Sequence, residues 1–273
     1  GRNLFGRDTF TMMAKAGHAR EPKRLGAAGQ ITCAGIFGGV IFIALLPHLG
    51  VVLISFAGDW YNSILPNTWT FQNYEIALGH NLAVPAIRNS IFYSTAAVAL
   101  NVAIAIAIAY VVVRTRLPGR NGLDAMAMLP LAVPGLVVAF GYYAMSLPGN
   151  FFQFPGHWDG AVFAGWNAAM EAIRTNAFNV SEFPVFALII AYAMRKLPFV
   201  VRSAVAGLQQ TSEAYEEAAQ NLGAPPWKAA LVITLPLITA HLLAGALLSF
   251  SQSMLEVSDS LILAQKQQFY PIT

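Results

Sequence analysis

Charged side chains are scarce in this sequence of 273 residues: they make up 11% of it, whereas hydrophobic residues make up 56%. Soluble domains carry about 25% charged residues, so the share here is less than half of the usual one. A soluble protein with a large core would explain the composition, but not repeated apolar runs of about 20 residues, which is the length of a bilayer-spanning helix. The scarcity of charge therefore predicts an all-α integral membrane protein.

The sequence has a single cysteine and none of the common catalytic motifs. Cys33 is the one cysteine; it can form neither an internal disulfide nor a metal cluster, and we expect it to be a small buried hydrophobic residue. The histidines are scattered without metal-ligand spacing, and there is no HExxH, GxSxG, P-loop or paired carboxylates within the apolar runs. These absences argue against an enzyme, and we predict no catalytic residue, metal site or cofactor.

Five apolar segments are predicted to cross the membrane as helices. They cover about residues 31–56, 87–113, 123–147, 183–201 and 237–255, each near the ~20 residues that a crossing needs. Four prolines are expected to break or kink them, which a helix bundle tolerates: Pro47, Pro130, Pro134 and Pro198. Because five crossings leave the chain outside, and FYPIT is typical of the entry to another helix, we expect a sixth crossing beyond a truncated end.

Lysine and arginine lie mostly on one side of these segments. Residues 1–30 contain six, the loop RTRLPGRNG contains three, and the stretch from the fourth to the fifth segment contains Arg195, Lys196, Arg202 and Lys228. The positive-inside rule therefore predicts that the N-terminal segment and the loop before the fifth segment are cytoplasmic. The other side holds Arg88, Arg174 and Lys266. The net positive charge reflects this topology and not a nucleic-acid partner, since no basic patch is interleaved with aromatic residues.

Two outer loops, residues 57–86 and 148–182, are rich in tryptophan, tyrosine and phenylalanine. Aromatic belts at the membrane interface explain this enrichment, and docking of an external partner is the alternative.

A polar cassette, TSEAYEEAAQNLGAPPWKAALVITLP, interrupts the apolar pattern from Thr211 onward. Thr211 or Ser212 can cap a helix whose first turn is acidic. Gly223 is expected to end that helix, and the two prolines after it suit the first turn of a second helix that leads into the membrane. Ala218 and Ala219 leave one helix face small and smooth, which lets a helix lie in a groove on a partner.

The spacing of the cassette resembles the EAA motif of membrane subunits of binding-protein-dependent ABC importers. It matches at every defined position of that motif: Glu217, Ala218, Ala219, Gly223, Ile233, Leu235 and Pro236. Other stretches, such as MLPLAVPGLVVAFG, resemble the iron(III)-type permeases, although thiamine, phosphonate, polyamine and sulfate permeases are similar here. Residues 1–30 resemble the basic linker before the second copy of a duplicated permease, and residues 31–273 resemble its transmembrane domain.

This resemblance implies a multi-pass permease of the bacterial inner membrane that transports ferric iron or a similar small solute. It implies as partners a cytoplasmic ABC ATPase dimer, a second permease half that is fused or separate, and an external solute-binding protein. Glu217, Ala218, Ala219 and Gly223 would then couple to the ATPase, and Ile233, Leu235 and Pro236 would join the cassette to the fifth segment. Glu217 could instead cap its own helix, and Gly223 is expected to form a turn and not a contact.

The translocation path is weakly marked in the sequence. Intramembrane charges are candidates by default, but Glu256, Asp259 and Asp124 lie at segment ends and could sit in the interface. His48 is expected to be a snorkelling or hydrogen-bonded histidine and not a ligand. Further polar candidates, which could also serve helix packing, are Tyr142, Tyr143, Ser146, Ser249, Ser251 and Ser253. The kinked sequence LPLAVPG leaves an ion-gradient-driven secondary transporter open as an alternative.

Overall fold

The computed structural model describes residues 26–153 and 160–272. The predicted linker up to Leu25, residues 154–159 of the second outer loop, and Thr273 lie outside the described residues. Within those ranges the secondary structure is helical, apart from an isolated antiparallel bridge between Ala57 and Trp69. The prediction of an all-α membrane-type helix bundle is confirmed.

Twelve α-helices are present in the described ranges. In chain order they are α1 (Ala27–Phe56), α2 (Gln72–Gly79), α3 (Ala83–Arg114), α4 (Arg120–Met128), α5 (Gly135–Ser146), α6 (Ala161–Ala177), α7 (Val185–Gln210), α8 (Ala214–Asn221), α9 (Pro226–Ala229), α10 (Leu235–Leu237), α11 (Thr239–Met254) and α12 (Ser258–Leu263). Short 3-10 turns occur at Leu129–Leu131 and Gln267–Phe269, and a π-helical turn occurs at Ala230–Thr234.

The chain divides into two compact units, and the first of them ends at Val84. In this unit the amide of Asn73 in α2 donates a hydrogen bond of 2.8 Å to the carbonyl of Ala57, just after α1. None of the residues of α1 is buried, so the prediction that Cys33 is buried is wrong: this side chain is exposed. His48 Nδ1 lies 3.1 Å from the Ala44 carbonyl oxygen, which confirms a hydrogen-bonded histidine.

The second unit, from Pro85 onward, is built around α7, which packs against α4, α5, α11 and α12. Its closest helix contact is with α11, where Gly245 faces Val200 and Ser203. A Cβ atom built on Gly245 would lie 2.8 Å from Ser203 Cβ and 3.1 Å from Val200 Cα. The absence of a side chain at Gly245 therefore sets how closely these two helices approach, as small residues do in membrane bundles.

The predicted membrane segments differ in how regular they are. Of the described helices, α1 and α3 are long and apolar enough to cross a membrane alone, and two bent pairs raise the number to four if each pair is one span. The fourth predicted segment is α7, which carries three basic residues and is not among these helices. The sequence prediction of five crossings thus corresponds to two continuous apolar helices, two bent pairs and one helix with internal charges.

The third predicted segment is broken in the structure. Its two arms, Arg120–Leu131 and Gly135–Ser146, are bent by 102°. Proline lacks an N–H donor and restricts the residue before it, and Pro134 stands immediately before α5. Pro47 and Pro198, by contrast, lie inside continuous helices, so proline alone did not identify the position of the break.

Candidate functional site

The first half of the cassette forms α8 and a glycine turn. Gly223 has a φ of +92°, and the N–H of Ala224 donates a 3.0 Å hydrogen bond to the Ala219 carbonyl, which closes the helix in the way that a C-terminal glycine allows. The predicted turn is confirmed. The Ser212 hydroxyl accepts a 3.3 Å hydrogen bond from the N–H of Ala214, the first residue of α8, which is the contact that a capping serine makes. The Thr211 hydroxyl instead donates to the Gly207 carbonyl, so of the two predicted candidates only Ser212 contacts the start of the helix.

The second half of the cassette leads into the membrane without leaving helical geometry. Pro226 is the first residue of α9, as predicted, and the π-helical turn and α10 follow directly. The arm Pro226–Leu237 is bent by 70° against α11. The arm is helical from Pro226 to Leu237, and Ile238, a turn residue, separates it from α11.

Glu216 is the buried centre of the cassette. Its Oε1 accepts a 2.6 Å hydrogen bond from the Thr234 hydroxyl and a 3.1 Å hydrogen bond from Arg114 Nε. Its Oε2 lies 3.2 Å from the donating hydroxyl of Tyr110. One carboxylate thus joins α8, the π-helical turn and the last turn of α3, and hydrogen bonds to a charged acceptor are among the stronger ones in proteins.

Arg114 completes this junction from the end of α3. Only 6% of its side chain is exposed, and its Nη2 donates a 2.8 Å hydrogen bond to the Thr211 carbonyl at the start of the cassette. Its Nη1 lies 3.4 Å from a carboxylate oxygen of Glu213. Arg114 was counted in the sequence as a topology signal, and the structure gives it a second role as the partner of Glu216.

The motif glutamate, Glu217, lies on the other side of α8. Successive residues of an α-helix are turned by about 100°, so Glu216 points into the junction while Glu217 and Ala218 are exposed and Ala219 is half-buried. We call the exposed side chains around this face the docking surface; they are Tyr215, Glu217, Ala218, Leu222 and Trp227. Leu222 is 91% exposed. In the second half of the motif Ile233 and Leu235 are half-buried and Pro236 is exposed.

A second buried charge cluster lies along α7 and was missed in the sequence. Lys196 Nζ donates a 2.6 Å hydrogen bond to Glu256 Oε2, which is also 3.4 Å from Arg195 Nε. Arg195 Nη1 lies 3.8 Å from Asp259 Oδ1. The sequence analysis counted Arg195 and Lys196 as basic residues of the inner side and placed Glu256 and Asp259 at the end of a segment. The structure pairs these two cations with these two buried carboxylates, a contact that the sequence did not indicate.

The other polar candidates have separate roles in packing. Ser249 is fully buried and lies 3.1 Å from the donating amide of Asn101. The Ser146 hydroxyl donates to the Tyr143 carbonyl within its own helix. Asp124 is buried, with Arg202 Nη1 3.6 Å away. These residues, together with the exposed Ser251, do not define one polar surface.

The second outer loop contains an ordered contact between α6 and the end of α5. Arg174 binds Glu171 at 2.6 Å and donates a 2.9 Å hydrogen bond to the Ser146 carbonyl. The hydrogen bonds that Arg174 donates to Glu171 hold the pKa of the Glu171 carboxyl below its usual range. Trp166 Nε1 donates to the Phe152 carbonyl, so aromatic residues of this loop also serve its own folding.

Comparisons with known proteins agree on one family. Residues 101–267 match the family described as binding-protein-dependent transport system inner membrane component. A Haemophilus influenzae protein named "Putative ferric transport system permease protein FbpB 1" is 28% identical over 237 residues, which are 86% of this chain and 33% of that protein. The sulfate transport system permease protein of Escherichia coli is 28% identical over 227 residues, which are 82% of this chain and 71% of that protein.

A solved structure shares the fold. A bacterial ABC transporter involved in the import of the acidic polysaccharide alginate superposes with a TM-score of 0.61 at 18% identity, covering 92% of this chain and 80% of that one. The chain spans about a third of the length of the Haemophilus influenzae relative.

Proposed function

Because the chain belongs to the family of binding-protein-dependent transport system inner membrane components, we propose that it forms the translocation path of an ATP-driven importer and couples that path to a separate ATPase. The observation that supports this proposal most directly is that α8 has one exposed side and one buried side. One side is the exposed docking surface, and the other is the carboxylate of Glu216, held by Arg114 and Thr234. A helix with one face free for a partner and the other fixed to membrane helices is suited to transmit motion.

The contacts suggest how that motion would be divided. A movement of α8 pulls on α3 through the ion pair of Glu216 with Arg114 and on α11 through the π-helical turn. We propose that the docking contact uses Glu217, Ala218, Ala219 and the turn at Gly223, and that the connection to α11 uses Ile233, Leu235 and Pro236. The exposure of Glu217 supports an ion pair with a basic group on the ATPase over a cap on its own helix.

The remaining partners and the orientation belong to the same proposal. An ATPase dimer, a second permease half and an external solute-binding protein would complete the importer, and the cassette and residues 1–30 would face the cytoplasm. Arg114 contacts the cassette, and Arg116 and Arg120 follow it closely in the sequence. This group of basic residues supports the orientation under the positive-inside rule. The domain proposal stays as residues 1–30 for the linker and 31–273 for the transmembrane domain.

Disulfide crosslinking tests the docking surface. In the full-length protein carrying Cys33→Ser, Ala218→Cys is expected to crosslink to single cysteines placed on the ATPase encoded beside it, and the yield should change with ATP. A crosslink should form because Ala218 is exposed on the docking surface. Its yield should change because an ATPase that closes on ATP would shift its contact with that surface. Gel electrophoresis without reductant measures the yield.

Two matched alanines control for access and position. Ala125→Cys is exposed on α4 and away from the cassette, and Ala229→Cys is buried inside the cassette; neither should crosslink. Equal yields at Ala218 and Ala125, in a complex shown to contain both proteins, would contradict docking through α8.

Transport by the complete system tests the solute and the energy source. We propose ferric iron or a similar small solute, supported by the ferric permease relative, although the sulfate permease is equally similar. In proteoliposomes with all partners, uptake of radioactive ferric iron should require internal ATP and persist when ionophores collapse ion gradients. Uptake of sulfate in its place would refute only the solute, whereas uptake driven by an ion gradient without ATP would refute the importer.

A further inference from the structure

The buried charge cluster on α7 contains one strong and one weak ion pair. Lys196 and Glu256 are 2.6 Å apart, a full charge-assisted hydrogen bond. Arg195 Nη1 and Asp259 Oδ1 are 3.8 Å apart, too far for a hydrogen bond. Among the described residues, neither carboxylate oxygen of Asp259 nor Nη1 of Arg195 has a hydrogen-bond partner. The pair of Lys196 with Glu256 is therefore held by a short hydrogen bond, and the pair of Arg195 with Asp259 is not.

The weak pair is also the one that reaches the surface of the chain. Asp259 and Nη1 of Arg195 are buried, but 22% of the Arg195 side chain as a whole is exposed. Its guanidinium lies directly on Gly135, where an added Cβ would come within 1.7 Å of Nη1. Gly135 is the first residue of α5, immediately after the 102° break. Arg195 therefore lies where the third segment loses its helical hydrogen bonding.

Both features exclude lipid as the neighbour of this surface. Non-helical backbone at membrane depth is tolerated only where protein covers it or water lines it, and residues 131–134 are exposed in this chain. A guanidinium on a lipid-facing surface would be costly, so intramembrane arginines face a bundle interior or a water-filled cavity. The exposed side of Arg195 thus needs an aqueous or protein-lined space outside this chain.

We propose that Arg195 lies on the wall of the translocation path, and that its weak pair with Asp259 opens and closes as the transporter changes state. Lys196 stays paired with Glu256 in both states. When Arg195 moves away, only Asp259 loses its cation, and Glu256 keeps one. In this proposal Arg195 lines the path and changes its position between the two states. This inference rests on the proposed importer function, because it assumes that the chain alternates between states under the control of ATP.

Cysteine accessibility tests the inference in the complete transporter reconstituted in liposomes. The probe is a membrane-impermeant, positively charged methanethiosulfonate, and the background carries Cys33→Ser. A thiol reacts as the thiolate, which burial in apolar surroundings suppresses, so Arg195→Cys should react about tenfold faster or more than Ala193→Cys. Ala193 lies on the same helix with 1% exposure. The rate at Arg195→Cys should also differ between the nucleotide-free and the vanadate-trapped state.

A second position guards against a variant that fails to fold. Val133→Cys removes no charge and lies in the exposed break, so it should react in the same state as Arg195→Cys. If both cysteines react no faster than Ala193→Cys in either state while the wild-type complex transports, the path assignment is overturned. If the reaction rates are high but independent of state, the opening and closing of the pair is overturned. If the wild-type complex shows no ATP-dependent uptake, the proposed function fails instead.

Discussion

Replacing Glu216 with alanine is expected to lower the free energy of unfolding by about 3–5 kcal/mol, the usual result of removing one partner from a buried ion pair. The loss is large because Arg114, with 6% of its side chain exposed, would keep its charge without its buried carboxylate. The Thr234 hydroxyl would lose its acceptor as well. Denaturant unfolding of the purified protein in detergent, followed by tryptophan fluorescence, measures the change.

The neighbouring glutamate is the matched control for this result. Glu217→Ala should change stability by less than about 0.5 kcal/mol, as exposed substitutions usually do, while it lowers the ATP-dependent crosslinking or uptake described above. Equal destabilisation by the two alanine variants would show that Glu216 does not hold the cassette in the way described.

Replacing Lys196 with methionine is expected to cost about 3 kcal/mol or more, again because a buried carboxylate loses its partner. Glu256 is 5% exposed, and its remaining cation, Arg195 Nε, lies 3.4 Å away compared with 2.6 Å for Lys196 Nζ. This second cation places the expected cost at the lower end of the range. The same unfolding measurement applies.

A double variant separates the ion pair from simple packing. Lys196→Met combined with Glu256→Met should recover most of the loss, since a buried pair replaced by apolar residues of similar volume is often neutral or stabilising. If the double variant loses as much as the sum of the single variants, the two side chains are not coupled.

The fold class and the turn at Gly223 could be predicted from the sequence because each depends on local or compositional properties. A sequence with so few charged residues and several long apolar segments predicts membrane helices wherever those segments pack. Gly223, with Pro225 and Pro226 shortly after it, ends a helix in almost any context. The start of α9 at Pro226 follows from the same local rule. Such features do not depend on which helix lies next to which.

The charge pairs could not be predicted because they depend on which helix faces meet. Lys196 and Glu256 are 60 positions apart, and in the sequence each looked like a charge at the end of a segment. The exposure of Cys33 was missed for a related reason, since an apolar run does not reveal whether a second helix covers it. For the burial of Glu216 the sequence held one usable signal. Two adjacent glutamates on a short helix point in different directions, so Glu216 and Glu217 cannot both face the same neighbour.

The break before α5 has a consequence for how the chain enters the bilayer during synthesis. Each arm of the third segment has 12 residues, which at 1.5 Å per residue is about 18 Å, well short of the ~30 Å hydrocarbon core. Neither arm is long enough to be released into lipid as a separate unit by the insertion machinery. Since α5 packs against α7 and α12, we expect the segment to stay beside that machinery until those helices emerge, so that this domain inserts in one concerted step and not helix by helix.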